Sequence, residues 1–355
     1  MFYPIEQCDP SPHAMTSANY LPVRDEWLAL DQEEILEPAL PIVDAHHHFY
    51  DRPGWTYLAP DYTADAGSGH RVVASVYMQA QTRYRAEGEP RLRPVGETEY
   101  VAAIAEASAG RTPALCRGIV GHADLSQGAA VHEVLEAHAQ AGRGFFRGVR
   151  HLSTWDADRS LVNPLSAAPQ GLLLDPSYRA GVAELAALGM SYDAWLFFHQ
   201  LPELYELARR FPDLPVIVNH CGGVLRIGAY ASRQPEVFAQ WRDAMRRLAE
   251  LPNVCVKLGG LGMRMNGFAF DKGERPPGSA TLAAAWRPWM ETCIEAFGTD
   301  RCMFESNFPV DKGSYGYATG WNAFKRLTAG AGASERHALF HGTANRVYRL
   351  GLDTP

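Results

Sequence analysis

The chain has 355 residues, 46% of them hydrophobic, enough to bury a large core in one α/β barrel or in two smaller domains. Its 33 basic and 40 acidic residues give a formal charge of −7 and no basic stripe runs through it, so attraction to nucleic acid or to an anionic membrane is not expected. The six cysteines contain no Cys-x-x-Cys pair, which argues against a thiolate zinc site and a disulfide framework, and with neither a leader pattern nor a bilayer-length apolar run a soluble cytoplasmic protein is the default.

Residues 1–40 are rich in proline and acidic residues and read as an N-terminal arm, whose Trp27 and Leu28 are expected to pack on a neighbouring subunit of a homo-oligomer such as a dimer. From residue 41 to 355 the chain reads as one domain. Short apolar, β-branched runs alternate there with longer segments of helical periodicity, the pattern of repeated βαβ units. Eight runs stand out, at 41–46, 72–79, 116–125, 145–152, 191–199, 214–220, 253–260 and 301–307. Eight strand–helix pairs predict a (β/α)₈ TIM barrel of roughly 250 residues, with long loops on its C-terminal face. A doubly wound open sheet is the second choice, disfavoured because no glycine-rich dinucleotide fingerprint follows the first run.

In such a barrel the chemistry collects where strands end. The first run closes on three histidines, and because side chains alternate along a strand, His46 and His48 face one way and can grip a single ion. Later runs end on Gln79, on His122 and Asp124, on Arg150 and His151, on His199, on Asn219 and His220, on Lys257, and on Glu305 and Asn307. Seven of the 13 histidines thus fall at or beside strand ends, counting His47, which a surface-dispersed set would not do. Each has a plainer reading: His122 and His151 as hydrogen-bonded structural histidines, Lys257 as a buried charge in need of a partner, Arg147 as structural opposite a substrate-facing Arg150.

The His46-x-His48 pair, His199 after a strand, His220 in Val218-Asn219-His220-Cys221-Gly222-Gly223 and the closing Met303-Phe304-Glu305-Ser306-Asn307-Phe308-Pro309 together resemble the amidohydrolase superfamily, and within it the amidohydrolase-2 group of lactonase-like and decarboxylase-like enzymes. The resemblance runs from about residue 41 to the end. It implies one divalent ion, zinc first and manganese second, held by His46, His48, His199 and a strand-eight aspartate, with His220 close to the reacting oxygen. It also implies a small-molecule substrate, here a carboxylated or aromatic lactone or a related ester or amide, attacked by metal-activated water. Asn307 stands where that aspartate is expected, and asparagine accepts no proton at neutral pH. Glu305, two residues earlier on the same strand face and roughly 6 to 7 Å deeper, is the candidate replacement, unless it merely pairs with Lys257 or an arginine. Asp124 and Asp311 are further candidate proton acceptors. The segment 259–288 is expected to overhang the site, with Arg264 as an anion clamp. Three rival readings stay open: a non-oxidative decarboxylase of an aromatic acid, a metal-free lactonase, and a binder without turnover.

Overall fold

The computed structural model describes residues 20–353. Eight parallel strands form one sheet in sequential order: β1 (Pro41–His47), β2 (Arg71–Met78), β3 (Ala114–Gly121), β4 (Phe146–Val149), β5 (Ser191–Ala194), β6 (Val216–Val218), β7 (Val254–Leu258) and β8 (Cys302–Phe304). The sheet closes on itself just past its C-terminal edge. His47 bridges to Phe308, the His48 amide donates to the Phe308 carbonyl at 2.8 Å, and the Asn307 amide donates to the His46 carbonyl at 2.9 Å. Helices cover the outside, among them Val95–Ala107, His132–Ala141, Pro176–Ala187, Leu201–Arg210, Gln234–Ala249 and Ser279–Phe297, each where the sequence shows 3.6-residue periodicity. This is the expected (β/α)₈ barrel. No helix among the described residues is long and apolar enough to cross a membrane.

Alternation along the strands sorts the core into two parts. Val43, Ala45, Val76, Ile217, Cys255 and Met303 belong to an inner cluster, whereas Ile42, Tyr77, Val216, Val256 and Phe304 pack outward under the helices. Strand β1 breaks this rule once. Its pairing with β2 shifts register between Asp44 and His47, so that Ala45 and His46 both face inward, His47 turns out to lie 3.9 Å above the Tyr62 ring, and His48 returns to the inside. Asp44, directed outward, accepts from the Ser306 amide and hydroxyl at 2.9 and 2.7 Å and from the hydroxyls of Tyr62 and Tyr317 at 2.9 and 3.0 Å. One buried carboxylate therefore stitches the seam between the first and last strands.

Two expectations need correction. The fifth run is expected to extend to His199, but β5 stops at Ala194; Trp195 adds one isolated parallel bridge to Leu152, and Leu196 to Phe198 are apolar because they pack in the core, not because they continue the ladder. The Gln200 side chain turns the chain there, accepting from the amides of Trp155 and Phe197 and donating to the Ser153 carbonyl. Residues 20–40 do not offer Trp27 to another subunit. They run along the chain's own barrel, where the Trp27 indole donates to the Gly273 carbonyl at 3.0 Å and is largely buried. The first nineteen residues of the arm lie outside the described residues.

Candidate active site at the C-terminal face of the barrel

The inward positions at the C-terminal strand ends carry a polar layer above the apolar inner cluster. Its centre is Glu305, fully buried at the end of β8. Glu305 Oε1 accepts from the His220 backbone amide at 3.0 Å and from His220 Nδ1 at 2.8 Å. Glu305 Oε2 lies 2.8 Å from His46 Nδ1 but off the direction of any donor, so it is a buried carboxylate oxygen without a hydrogen-bond partner. On the other side of the His46 ring, Nε2 is 3.1 Å from His48 Nε2 and 3.2 Å from Arg150 Nη1. Lys257, inward on β7, pairs with Asp193 of β5 at 2.9 Å and sits 3.4 Å from His46 Nδ1. Asp193 also accepts from the Tyr348 hydroxyl at 2.7 Å and from Asn219 Nδ2 at 3.0 Å.

Close approach explains the glycines that follow β7. At Gly260, with φ +64°, a Cβ would stand 2.3 Å from His220 Nδ1, and at Gly259 one would stand 2.4 Å from Glu305 Cγ. No side chain fits between this turn and the His220–Glu305 pair.

Burial sets the charge states. It holds His46, His48 and His220 well below the ordinary imidazole range, and the cations Lys257 and Arg150 push His46 and His220 further the same way, so all three are neutral ligands or bases. Burial raises the Glu305 carboxyl to about 8 against the pull of Lys257, the His220 amide and Arg150. Behind Asn307, burial lifts Asp311 to about 7, although it accepts from Tyr315, from the Gly262 amide and from Asn307 Nδ2. An acid whose folded pKa lies above its ordinary 3.8 is bound more tightly to its proton in the folded state, so its stability contribution is complete at low pH and is lost as pH rises toward about 7. Asp311→Asn is expected to flatten the fall in urea midpoint between about pH 4 and 7 relative to wild type; an unchanged slope would count against this assignment.

A narrow cleft opens over this layer, floored by His48, Gln79, Arg150, His220 and Asn307. Several buried polar atoms in its lining have no protein partner: both amide atoms of Gln79, Nε of Arg150 and Oδ1 of Asn307. Such orphans are what a polar ligand would satisfy. Arg52, Tyr50, Tyr20, Asn163, Trp195 and Met263 make the walls.

The structure brings together most, but not all, of the residues singled out from the sequence. His46, His48, His220, Lys257, Glu305, Arg150, Gln79 and Asn307 converge. His199 does not join the His46–His48 pair; it bonds Asp156 at 3.0 Å and lies parallel to Tyr230, itself bonded to the same carboxylate. His122 and His151, expected to touch substrate, do not line the cleft; their ring centres are 5.4 Å apart, the first 3.4 Å from the Arg150 carbonyl and the second accepting from the Leu125 amide, as structural histidines do. Asp124 is spent on the Ser126 amide. Arg264 is exposed beside a separate groove, and Met263 of the same segment reaches the cleft instead. Asp193, Asn163, Arg52 and Tyr20 were not singled out. Asp193 alone carried a legible signal, an acid at an inward position of a buried strand.

The donor set suits a divalent cation. His48 Nδ1 donates to the Met78 carbonyl at 2.9 Å, which leaves Nε2 of the neutral ring as a lone pair. Arg150 only donates, so its contact calls for a lone pair on His46 Nε2 as well. Two lone pairs 3.1 Å apart need a proton or a cation between them, and two nitrogens bound to one zinc at about 2.0 to 2.1 Å lie roughly 3.3 Å apart. Glu305 holds the Nδ1 face of His220 at 2.8 Å, an arrangement that orients an imidazole. Among the described residues, His46, His220 and Glu305 also form the one group of three with ligand atoms all within 4.8 Å of one another.

Comparison with known proteins identifies the family of the chain. The chain is 36% identical over 297 residues to the uncharacterized protein y4mH of Sinorhizobium fredii, covering 83% of this chain and 86% of that protein. It is 28% identical over 323 residues to an L-fucono-1,5-lactonase of Burkholderia multivorans, covering 87% and 96%. The crystal structure of an amidohydrolase from Burkholderia multivorans with bound zinc superposes with a TM-score of 0.66 at 26% identity, covering 87% of this chain and 99% of that one. The family model described as Amidohydrolase matches residues 43–350, nearly the whole barrel, and the chain therefore belongs to the amidohydrolase family.

Proposed function

We infer that the protein hydrolyses a small lactone carrying a carboxylate. The observation that carries this reading is the His220–Glu305 pair at the floor of a cleft lined by two guanidinium groups, Arg52 and Arg150. The lactonase relatives support the reaction class.

In this reading Arg150 and Arg52 receive the substrate carboxylate, the former through its unpartnered Nε, and Gln79 offers one donor and one acceptor to the ring substituents. His220, its Nδ1 proton held by Glu305, takes the proton of the attacking water at Nε2 as the oxygen adds to the lactone carbonyl. The same proton then goes to the ring oxygen as the C–O bond breaks, leaving a hydroxy acid. Glu305 stabilises the imidazolium that forms between these steps, the role an orienting carboxylate plays beside any histidine base. Asn307 contributes its Oδ1 as an acceptor, not as a base. A divalent ion would be held by His46 and His48, and would polarise the carbonyl or lower the pKa of bound water.

The test is a panel of sugar lactones and simpler lactones, followed by proton release with and without added zinc or manganese. Hydrolysis by the wild type that His220→Asn lowers by about 10² to 10⁴ supports the reading. Release of carbon dioxide from aromatic acids with no lactone turnover would replace it. Protein purified without chelator is expected to hold one equivalent of metal by elemental analysis, lost in His46→Ala and in His48→Ala. Full activity in metal-free protein would remove the ion from the scheme.

A further inference from the structure

One wall of the cleft comes from outside the barrel and outside the segment that the family model matches. Residues 20–40 form a strap fixed at many points. Lys325 donates to the carbonyls of Leu36 and Glu37 at 2.7 and 2.9 Å, Asn322 exchanges hydrogen bonds with Leu36 and Glu34, and the Thr319 hydroxyl donates to Asp31 at 2.6 Å. Nearer the site the strap holds the segment after β7: Arg24 donates to the Asp271 carbonyl at 2.7 Å, Trp27 to Gly273, Arg275 to the Leu30 carbonyl, and Glu33 accepts from the Ser279 amide at 2.7 Å. Leu21 then packs so closely on Gly313 that a Cβ there would meet it at 2.5 Å.

This anchoring delivers Tyr20 to the cleft. Its ring stands edge-on to Trp55 at 5.0 Å and to Tyr50 at 6.4 Å, while Tyr50 and Trp55 stack on each other at 4.1 Å. Its hydroxyl accepts from Asn163 Nδ2 at 3.1 Å, across the cleft mouth from the loop that follows β4. Arg52 lies 4.8 Å over the Tyr50 ring, so the carboxylate-binding guanidinium and the aromatic wall are one packed unit. The floor of the cleft is polar and this rim is aromatic.

We propose that Tyr20 is a specificity-determining residue, the wall by which the N-terminal strap restricts the cleft to a small, compact lactone and excludes chain-extended or bulky ones. This rests on the lactonase reading for the identity of the substrate, but not for the existence of the wall. The strap is bonded along its length and its Tyr20 hydroxyl is tied to Asn163, so the wall is in place before a substrate arrives. Restriction by a preformed wall acts on the difference between substrates, because a longer one must displace a packed aromatic group and break its hydrogen bond.

The experiment compares wild type, Tyr20→Ala, Tyr20→Phe and Asn163→Ala in two assays. In the first, kcat/KM is measured for a compact lactone and for one extended by an alkyl chain. Tyr20→Ala is expected to raise the ratio of extended to compact by about tenfold or more, the scale on which hydrophobic pockets sort substrates by size. Tyr20→Phe and Asn163→Ala both keep the ring and lose the hydrogen bond that ties it, so both are expected to fall between wild type and Tyr20→Ala. In the second assay, which needs no substrate, His48 and His220 are modified with diethyl pyrocarbonate and mapped by mass spectrometry, and Tyr20→Ala is expected to speed their modification several-fold. If the wild type hydrolyses no lactone while the modification rate still rises in Tyr20→Ala, the reaction assigned above falls and the wall stands. If neither the ratio nor the modification rate moves in Tyr20→Ala, Tyr20 is not the wall.

Discussion

Glu305→Gln is expected to lower kcat by about 10² to 10⁴ without unfolding the protein, because glutamine matches glutamate in size but supplies no negative charge. The wild-type carboxyl accepts twice from His220 through one oxygen and faces His46 with the other. Glutamine can keep the first role by turning its carbonyl toward His220. Its amide then stands 2.8 Å from His46 Nδ1 in place of the carboxylate oxygen, so the His46 ring loses the negative charge beside it. The imidazolium formed at His220 also loses its counter-charge. A pH profile separates these effects from a packing defect. Burial raises Glu305 to about 8, so if the ionised carboxylate is the working form, the wild-type rate climbs as pH rises through about 8, and the glutamine variant loses that limb. Stability moves the other way. The folded state holds this proton more tightly than the unfolded chain does, so raising the pH from about 4.5 through about 8 weakens the wild-type fold, and the substitution removes that loss. Turnover within about threefold of wild type would end the role assigned to Glu305 as the carboxylate that orients His220 and stabilises its imidazolium.

What the sequence disclosed about this site follows from which physical rule each residue obeys. The period of two along a strand placed His46 with His48 and Glu305 with the inner face, and it made Lys257 a buried charge in search of a partner; Glu305 and Lys257 lie where alternation puts them, and His46 and His48 share a side as a spacing of two requires. The same rule failed inside β1. A bulge cannot be read from Ile42-Val43-Asp44-Ala45, yet it is what lets Ala45 fill the barrel while His46 also turns inward. His199 was placed by the assumption that an apolar run is a strand to its last residue. Leu196 to Phe198 satisfy that pattern only because they are buried in the core, and the same assumption hid the true end of β5 and with it Asp193. Arg52 belongs to a short hairpin of Tyr50–Arg52 and Trp55–Tyr57, Asn163 to a loop and Tyr20 to the strap, all too short or irregular for a period to tie a residue to a direction. Their convergence depends on long-range contacts such as Lys325 with Leu36, separated by 289 positions, which a local pattern does not encode.

Lys257→Met is expected to be the most destabilising single change at the site, by about 3 to 5 kcal/mol, because it strands a buried carboxylate. Lys257 and Asp193 are both fully buried, 2.9 Å apart, with the Tyr348 hydroxyl and the Asn219 amide as the only other donors to Asp193 Oδ1 among the described residues. Two neutral hydrogen bonds do not replace a cation inside the barrel, and the remaining oxygen, Asp193 Oδ2, has no partner already in the wild type. Methionine keeps the length and apolar stem of lysine, so the cavity term is small and the measured loss reports the charge. The double variant Lys257→Met/Asp193→Asn is therefore expected to recover most of the stability, since it removes both ions and leaves the Tyr348 bond with an amide acceptor. Urea unfolding of the four proteins forms the cycle that measures the coupling. Activity need not return with stability: Lys257 Nζ also stands 3.4 Å from His46 Nδ1, where its charge helps keep that imidazole neutral, and the double variant loses this influence. If Lys257→Met costs less than about 1 kcal/mol, or if Asp193→Asn fails to offset it, the pair is not the ionic support of the histidine floor.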